Sequence, residues 1–347
     1  MKEFEHDYTN ILNAAYNITP LRIPIYEHTI SEEKMEEILG IKFKDLYNGN
    51  DKDINEFFNQ YCRFFSDMTY DTISFEAIFS DTLPGNGALY GHEPGCIKNY
   101  DDFKKYPWDD LPTIYFEKNK KYFDAIINNI PLGMSLIGGI GNGVFESIQD
   151  IVGYTNLCYM KVDDPETYAM LFVKMGEALY KTWEKFLPLY KDSYCVMRFG
   201  DDLGYKSNTL LPPIDVTTHI LPQYKKIINL IHAHNKPFLL HSCGNLFEVM
   251  DDILDTGINA KHSNEDIIAP MSTWYDKYKD KIGNFGGIDT DVLCHMNKTE
   301  LKSYITDVYN LAKKAKGVAI GSGNSIPEYI PTHNYLAMID IINELRS

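Results

Sequence analysis

The chain has 347 residues, enough to bury a substantial core without staples, and as a prior that length means two average domains or one large barrel. Its 33 Lys and Arg against 49 Asp and Glu leave a formal charge of −16, which repels phosphate backbones and anionic lipid, so neither nucleic acid nor a membrane surface is an expected partner. A composition of 44% hydrophobic, 24% charged and 13% aromatic residues excludes the disordered and fibrous classes.

Short apolar runs alternate with segments of helical period. The first run is RIPIYE (22–27), followed by a loop expected over the acidic, Asn-rich residues 49–55. TISFEAIF (72–79) comes next, then a Pro/Gly-rich loop or insertion over 83–95. PLGMSLIGG (131–139) precedes a long predicted helix that starts at Pro165, and SYCVMRFG (193–200) precedes another that starts at Pro222. KPFLLHSCG (236–244) leads into a helix ending at Gly257; INAKHSNE (258–265) and KIGNFGGID (281–289) follow. A helix over TELKSYITDVYNLAKKAKG, ending at Gly317, precedes the last run, KGVAIGSGN (316–324). Eight strands followed by helices predict an α/β fold, a (β/α)8 TIM barrel: one domain over 1–347, with helical and loop elaboration inside 1–130. The six cysteines are dispersed, the start MKEFEHDYTNILN has no signal-peptide pattern, and no apolar run reaches the roughly 20 residues of a membrane helix, so reduced thiols in a cytoplasmic protein are expected.

Chemistry in such a barrel sits at the C-terminal ends of the strands. Read in order, these ends supply Glu27, His28, Glu76, Asn142, Glu146, Asp201, Asp202, His241, Cys243, His262, Glu265, Asp289, Ser322, Asn324 and Ser325. His241 and Cys243 stand two apart on one strand, so period two places imidazole and thiol on the same face. With Glu265 at the next strand end they make a three-ligand zinc site that keeps a fourth position for substrate. Asp201 and Asp202 are candidates to orient substrate, to steer His241 or to act as acid and base, against the alternative that they cap the next segment; Asp289 has the same ambiguity. Arg198 points into the barrel and needs an anionic partner or substrate. The run GGIGNGVFE (138–146) lacks the dinucleotide fingerprint, and its reading is close backbone approach at a binding cavity with Asn142 and Glu146 as polar contacts. Tyr168, Tyr180 and Tyr190 read as packing or surface residues, His232 and His234 as structural, and His92 with Cys96 as a chance pairing.

His241-x-Cys243, with 21 residues before Glu265, resembles the zinc site of cobalamin-independent methionine synthase and of the corrinoid- and coenzyme M-linked methyltransferases, within the uroporphyrinogen decarboxylase superfamily. GDDLG (200–204), HSCGN (241–245), GGIDTDVL (286–293) and GSGNSIPEYIPTHNYLAM (321–338) carry the same resemblance, which covers about residues 130–340 well. It implies a zinc-dependent methyltransferase that moves a methyl group from a small O-, N- or S-methyl substrate to a corrinoid carried by a separate protein, with a homodimer as a candidate assembly. One departure stands out. Where those relatives supply a further zinc cysteine this chain has Asn324, and loss of a thiolate makes a bound ion more electrophilic and leaves its coordination sphere more open. The sequence also admits two other readings. A tetrapyrrole decarboxylase would call for an Arg-rich cleft, and the chain has only four Arg; a non-catalytic binding protein on the same barrel would hold no metal.

Overall fold

A computed structural model describes residues 4–91 and 94–346, so His92 lies outside the described residues. Seven parallel strands form one curled sheet in sequence order: β1 (Thr72–Ile78), β2 (Ser135–Gly141), β3 (Tyr194–Gly200), β4 (Phe238–His241), β5 (Ala260–His262), β6 (Gly283–Ile288) and β7 (Val318–Ser322). Helices cover its outer face, which makes a TIM-type α/β barrel. Parallel strands buried on both faces need near-continuous apolar sequence, and β2, β3, β6 and β7 are buried along their whole length.

The first predicted strand is a correction. RIPIYE forms no ladder; it meets β7 through one isolated bridge, Ile25 to Ile320, and through the Glu27 carboxylate, which accepts from Ser322 N at 2.9 Å, and beyond both segments Ile30 bridges Ile326. Pro24 has no N–H to give, so it only accepts, from Ile320 N at 2.9 Å. Gly321 allows this contact: a Cβ there would lie 1.7 Å from the Tyr26 carbonyl oxygen. Among the described residues no backbone hydrogen bond joins this segment to β1; the seam is closed by the Ser74 hydroxyl donating to the Glu27 carbonyl and by Arg198, which bonds Tyr26 at 2.8 Å and Glu76 at 2.9 Å.

Two further expectations are revised. Residues 51–55 are not loop but the first turn of the helix Asp51–Asp67, because Asn50 and Asp53 form a reciprocal capping box and the acidic start suits the helix dipole. The helix expected up to Gly257 shrinks to Met250–Leu254, since the preceding residues turn where Asn245 Oδ1 accepts from Phe247 N. The long helices Pro165–Tyr190 and Leu221–Ala233 lie where their periodicity placed them. The helix Lys298–Ala312 stops short of Gly317.

Inside the barrel Ile137, Val196, Leu239, Ala260, Phe285 and Ala319 pack against Ile11, Ala14 and Ala15 of the helix Thr9–Ala15, which plugs the N-terminal end. The opening is therefore at the C-terminal ends of the strands. Among the described residues no helix is long and apolar enough to cross a membrane.

Candidate metal centre and barrel mouth

β4 and β5 pair in register with His241 opposite His262, so two imidazoles meet at the mouth. Their nitrogens define a relay. His262 Nε2 lies 2.9 Å from the Ser322 carbonyl, which only accepts, so this nitrogen carries the proton. Burial pushes His262 down to about 3, and the neutral ring leaves Nδ1 bare. His241 Nδ1, 2.8 Å away, must then donate to it. Burial also holds His241 well below its usual range, so its Nε2 is left with a free lone pair. That lone pair faces Cys243 Sγ at 3.4 Å and Asp202 Oδ1 at 3.8 Å.

Asp202, His241 and Cys243 thus bring one donor atom each within 4.8 Å of one another. Asp202 is held by the Cys243 amide, which donates to its Oδ1 at 2.8 Å. Glu265 stands one side chain further on: the Asn324 amide donates to Glu265 Oε1 at 3.0 Å and to Cys243 Sγ at 3.4 Å. Burial pushes the Cys243 thiol well up, with the charges of Asp202 and Glu265 adding to it. An unprotonated imidazole nitrogen, a thiol and two carboxylates are a donor set of zinc type, and a divalent cation would relieve the crowding of negative charge that keeps the thiol protonated.

The other sequence-predicted residues separate into two groups. Asp201 turns away from the cluster: its carboxylate accepts from Phe145 N at 2.9 Å, Glu146 N at 2.7 Å and the Tyr224 hydroxyl at 2.5 Å, capping the helix Val144–Val152. Gly143 makes room for it, since a Cβ there would lie 2.4 Å from Asp201 Oδ2. Asp289 likewise caps the helix Thr290–His295 through Asp291 N and holds Asp266 N at 2.7 Å. Asn142 and Glu146 face each other at 3.0 Å, and Asn142 also accepts from the Ser80 hydroxyl at 2.9 Å. Arg198 is buried on Glu76 and Tyr26.

The model for the family described as uroporphyrinogen decarboxylase (URO-D) matches residues 97–345. The chain belongs to the URO-D family. This URO-D family member is similar in structure to a methyltransferase from Methanosarcina mazei, with a TM-score of 0.71, 12% identity and 98% of each chain covered. It is also similar to a B12-independent methionine synthase from Shewanella sp. W3-18-1, solved in complex with selenomethionine, with a TM-score of 0.51, 12% identity and 96% of each chain covered. At such identity both likenesses speak to the fold, which they share. No curated protein matches the chain.

Three residues of this URO-D family member enter the site although their positions alone gave them no role. His28 stacks on His241 with centroids 3.6 Å apart, and burial holds it well below its usual range. His262 sets the tautomer of His241, and Glu76 balances Arg198. His262 ends β5, Glu76 lies two residues before the end of β1 and His28 follows the 22–27 segment, and only the barrel's curvature brings them together. At the rim, burial and then the charges of Asp202 and Asp201 push Glu146 up to about 8, so it keeps its proton at neutral pH.

Proposed function

We propose that this chain is a methyltransferase that takes a methyl group from a small O-, N- or S-methyl substrate and passes it to a corrinoid carried by a separate protein, using zinc. The observation that carries the reading is the bare Nε2 of His241 beside a thiol and a carboxylate at the open end of the barrel. His241 and Cys243 would hold the ion, and Asp202, which already converges on them, and Glu265, held back by Asn324, are the carboxylates available to complete the set. When bound, the ion supplies a Lewis acid that withdraws electrons from the heteroatom bearing the methyl group.

The chain's own residues do the rest. The Ser322–His262–His241 relay fixes which nitrogen is available, and the hydrogen bond from the Cys243 amide fixes Asp202. Burial raises the Glu146 carboxyl, which favours its protonated form, the form that a donor to a leaving heteroatom needs. Asp201 positions Glu146 by binding its amide. Family membership and a fold shared with two methyl-transfer enzymes support the reading. So does the placement of arginine: Arg22 pairs with Asp71, Arg63 with Asp67, and Arg346 bonds Thr69, which leaves only Arg198 inside the mouth, itself paired with Glu76. A polycarboxylate tetrapyrrole would find no arginine-rich cleft here.

The test is to offer the zinc-loaded protein a panel of O-, N- and S-methyl compounds with reduced cobalamin and to follow conversion of Co(I) to methyl-Co(III) by absorbance. Methylation that depends on zinc and on Cys243 is expected. Stoichiometric zinc without methylation from any donor, in either direction, would overturn the proposal.

A further inference from the structure

A cavity of about 340 Å³ opens beside the candidate metal centre, within the size range of small-ligand sites. His28 is the shared wall, lining the cavity and stacking on His241. The remaining walls include the rings of Tyr47, Phe57 and Tyr61 and the carboxylates of Glu32 and Asp45. The cations of the lining are already engaged: Lys44 pairs with Glu33, and Arg198 pairs with Glu76. Among the described residues Glu32 and Asp45 form no ion pair of their own: the Lys44 charge acts on both, but its ammonium is engaged by Glu33, and burial outweighs it and raises the Glu32 carboxyl.

Aromatic rings beside carboxylates without an ion pair of their own favour an organic ammonium ion, whose alkyl groups bury against the rings while its charge meets the carboxylate. A neutral ligand would use the rings but leave Glu32 with only the Lys44 charge, which Glu33 already engages, and an anion would face Glu32 and Asp45 with both lining cations already paired. The geometry points to this cavity as the anchoring site for the ammonium end of a small organic substrate. The inference rests on the methyl-transfer reading only for the substrate's other end. A tetra-alkylated nitrogen has no lone pair to offer a metal ion, so the cation is the anchor, and a methylated heteroatom that keeps a lone pair extends past His28 towards His241.

The test is calorimetric titration of the full-length protein with tetramethylammonium and, for comparison, neopentyl alcohol, which has nearly the same shape without the charge. Saturable binding of tetramethylammonium about ten-fold tighter than the alcohol is expected, as is a loss of about ten-fold in Glu32→Gln. Glu37→Gln, on the same helix but absent from the lining, should bind as the wild type does, and thermal melts establish that both variants fold. Equal affinity for the two probes, unchanged affinity in folded Glu32→Gln, or no binding would each overturn the assignment; the first two would leave an apolar slot suited to a neutral methyl ether. Because binding is read without turnover, a negative result with intact methyl transfer removes the anchor alone. Binding without any transfer removes only the reaction proposed above.

Discussion

His262 offers the sharpest perturbation, because it touches the candidate ion only through His241. Replacing it with Phe keeps a flat ring beside Tyr26 but removes the acceptor for His241 Nδ1–H, now satisfied at 2.8 Å. A buried donor left without a partner costs about 1–3 kcal/mol, and His241 can recover it only by rotating or changing tautomer, either of which withdraws the Nε2 lone pair from Cys243. Loss of a partner that orients a metal ligand weakens metal affinity by about 10–100-fold, or roughly 1.4–2.7 kcal/mol, which agrees with the hydrogen-bond figure. Competition between the protein and a chromophoric chelator for zinc measures this directly. His262→Asn, which returns an acceptor oxygen near the Nδ1 position, should recover most of the loss. Wild-type zinc affinity in folded His262→Phe, or equal losses in Phe and Asn, would refute the relay.

Other perturbations test the same geometry. Cys243→Ser should reduce zinc retention after dialysis by at least about ten-fold, as removal of a thiolate donor does. Asn324→Cys places a second thiol where an amide now touches Cys243 Sγ; the cobalt(II)-loaded variant should gain thiolate charge-transfer absorbance, and its methyl transfer should fall as the open position closes. Asp201→Ala removes three hydrogen bonds and a helix cap, and should cost about 3 kcal/mol in urea unfolding. Burial pushes Glu27 up to about 8, although the Ser322 donors oppose this. Its folded value lies above the ordinary value near 4.3, so its contribution to stability is full below about pH 4.3 and is lost as the pH rises towards 8. Glu27→Gln should therefore narrow the fall in Tm between about pH 5 and 8.

The sequence reveals those features that repeat along it. Alternation of apolar runs and helical periods specifies the barrel; His241 ends β4 and Cys243 lies two residues past it, off the strand that the period-two spacing assumes, yet their donor atoms lie 3.4 Å apart. What it hides depends on distant partners. Asp201 and Asp202 are equivalent in the chain, yet Asp201 is claimed by amides 55 and 56 residues earlier while Asp202 remains at the mouth. RIPIYE has the composition of a strand, and the proline's missing N–H is what stops the single bridge to β7 from extending into a ladder. The acidic run 51–55 looked like a loop because its cap is a three-residue pattern at the edge of a polar stretch.

The junction between the 24–27 segment and β1 is stitched differently from the rest of the barrel. It is fastened by side chains alone, those of Ser74 and Arg198, whereas every neighbouring pair from β1 to β7 is laced by its backbone. Ser74, Glu76 and Arg198 also border the cavity, so the wall that a guest would touch there is the one without backbone rungs. The staves leading to Asp202, His241 and His262, by contrast, are held in register by their own backbones.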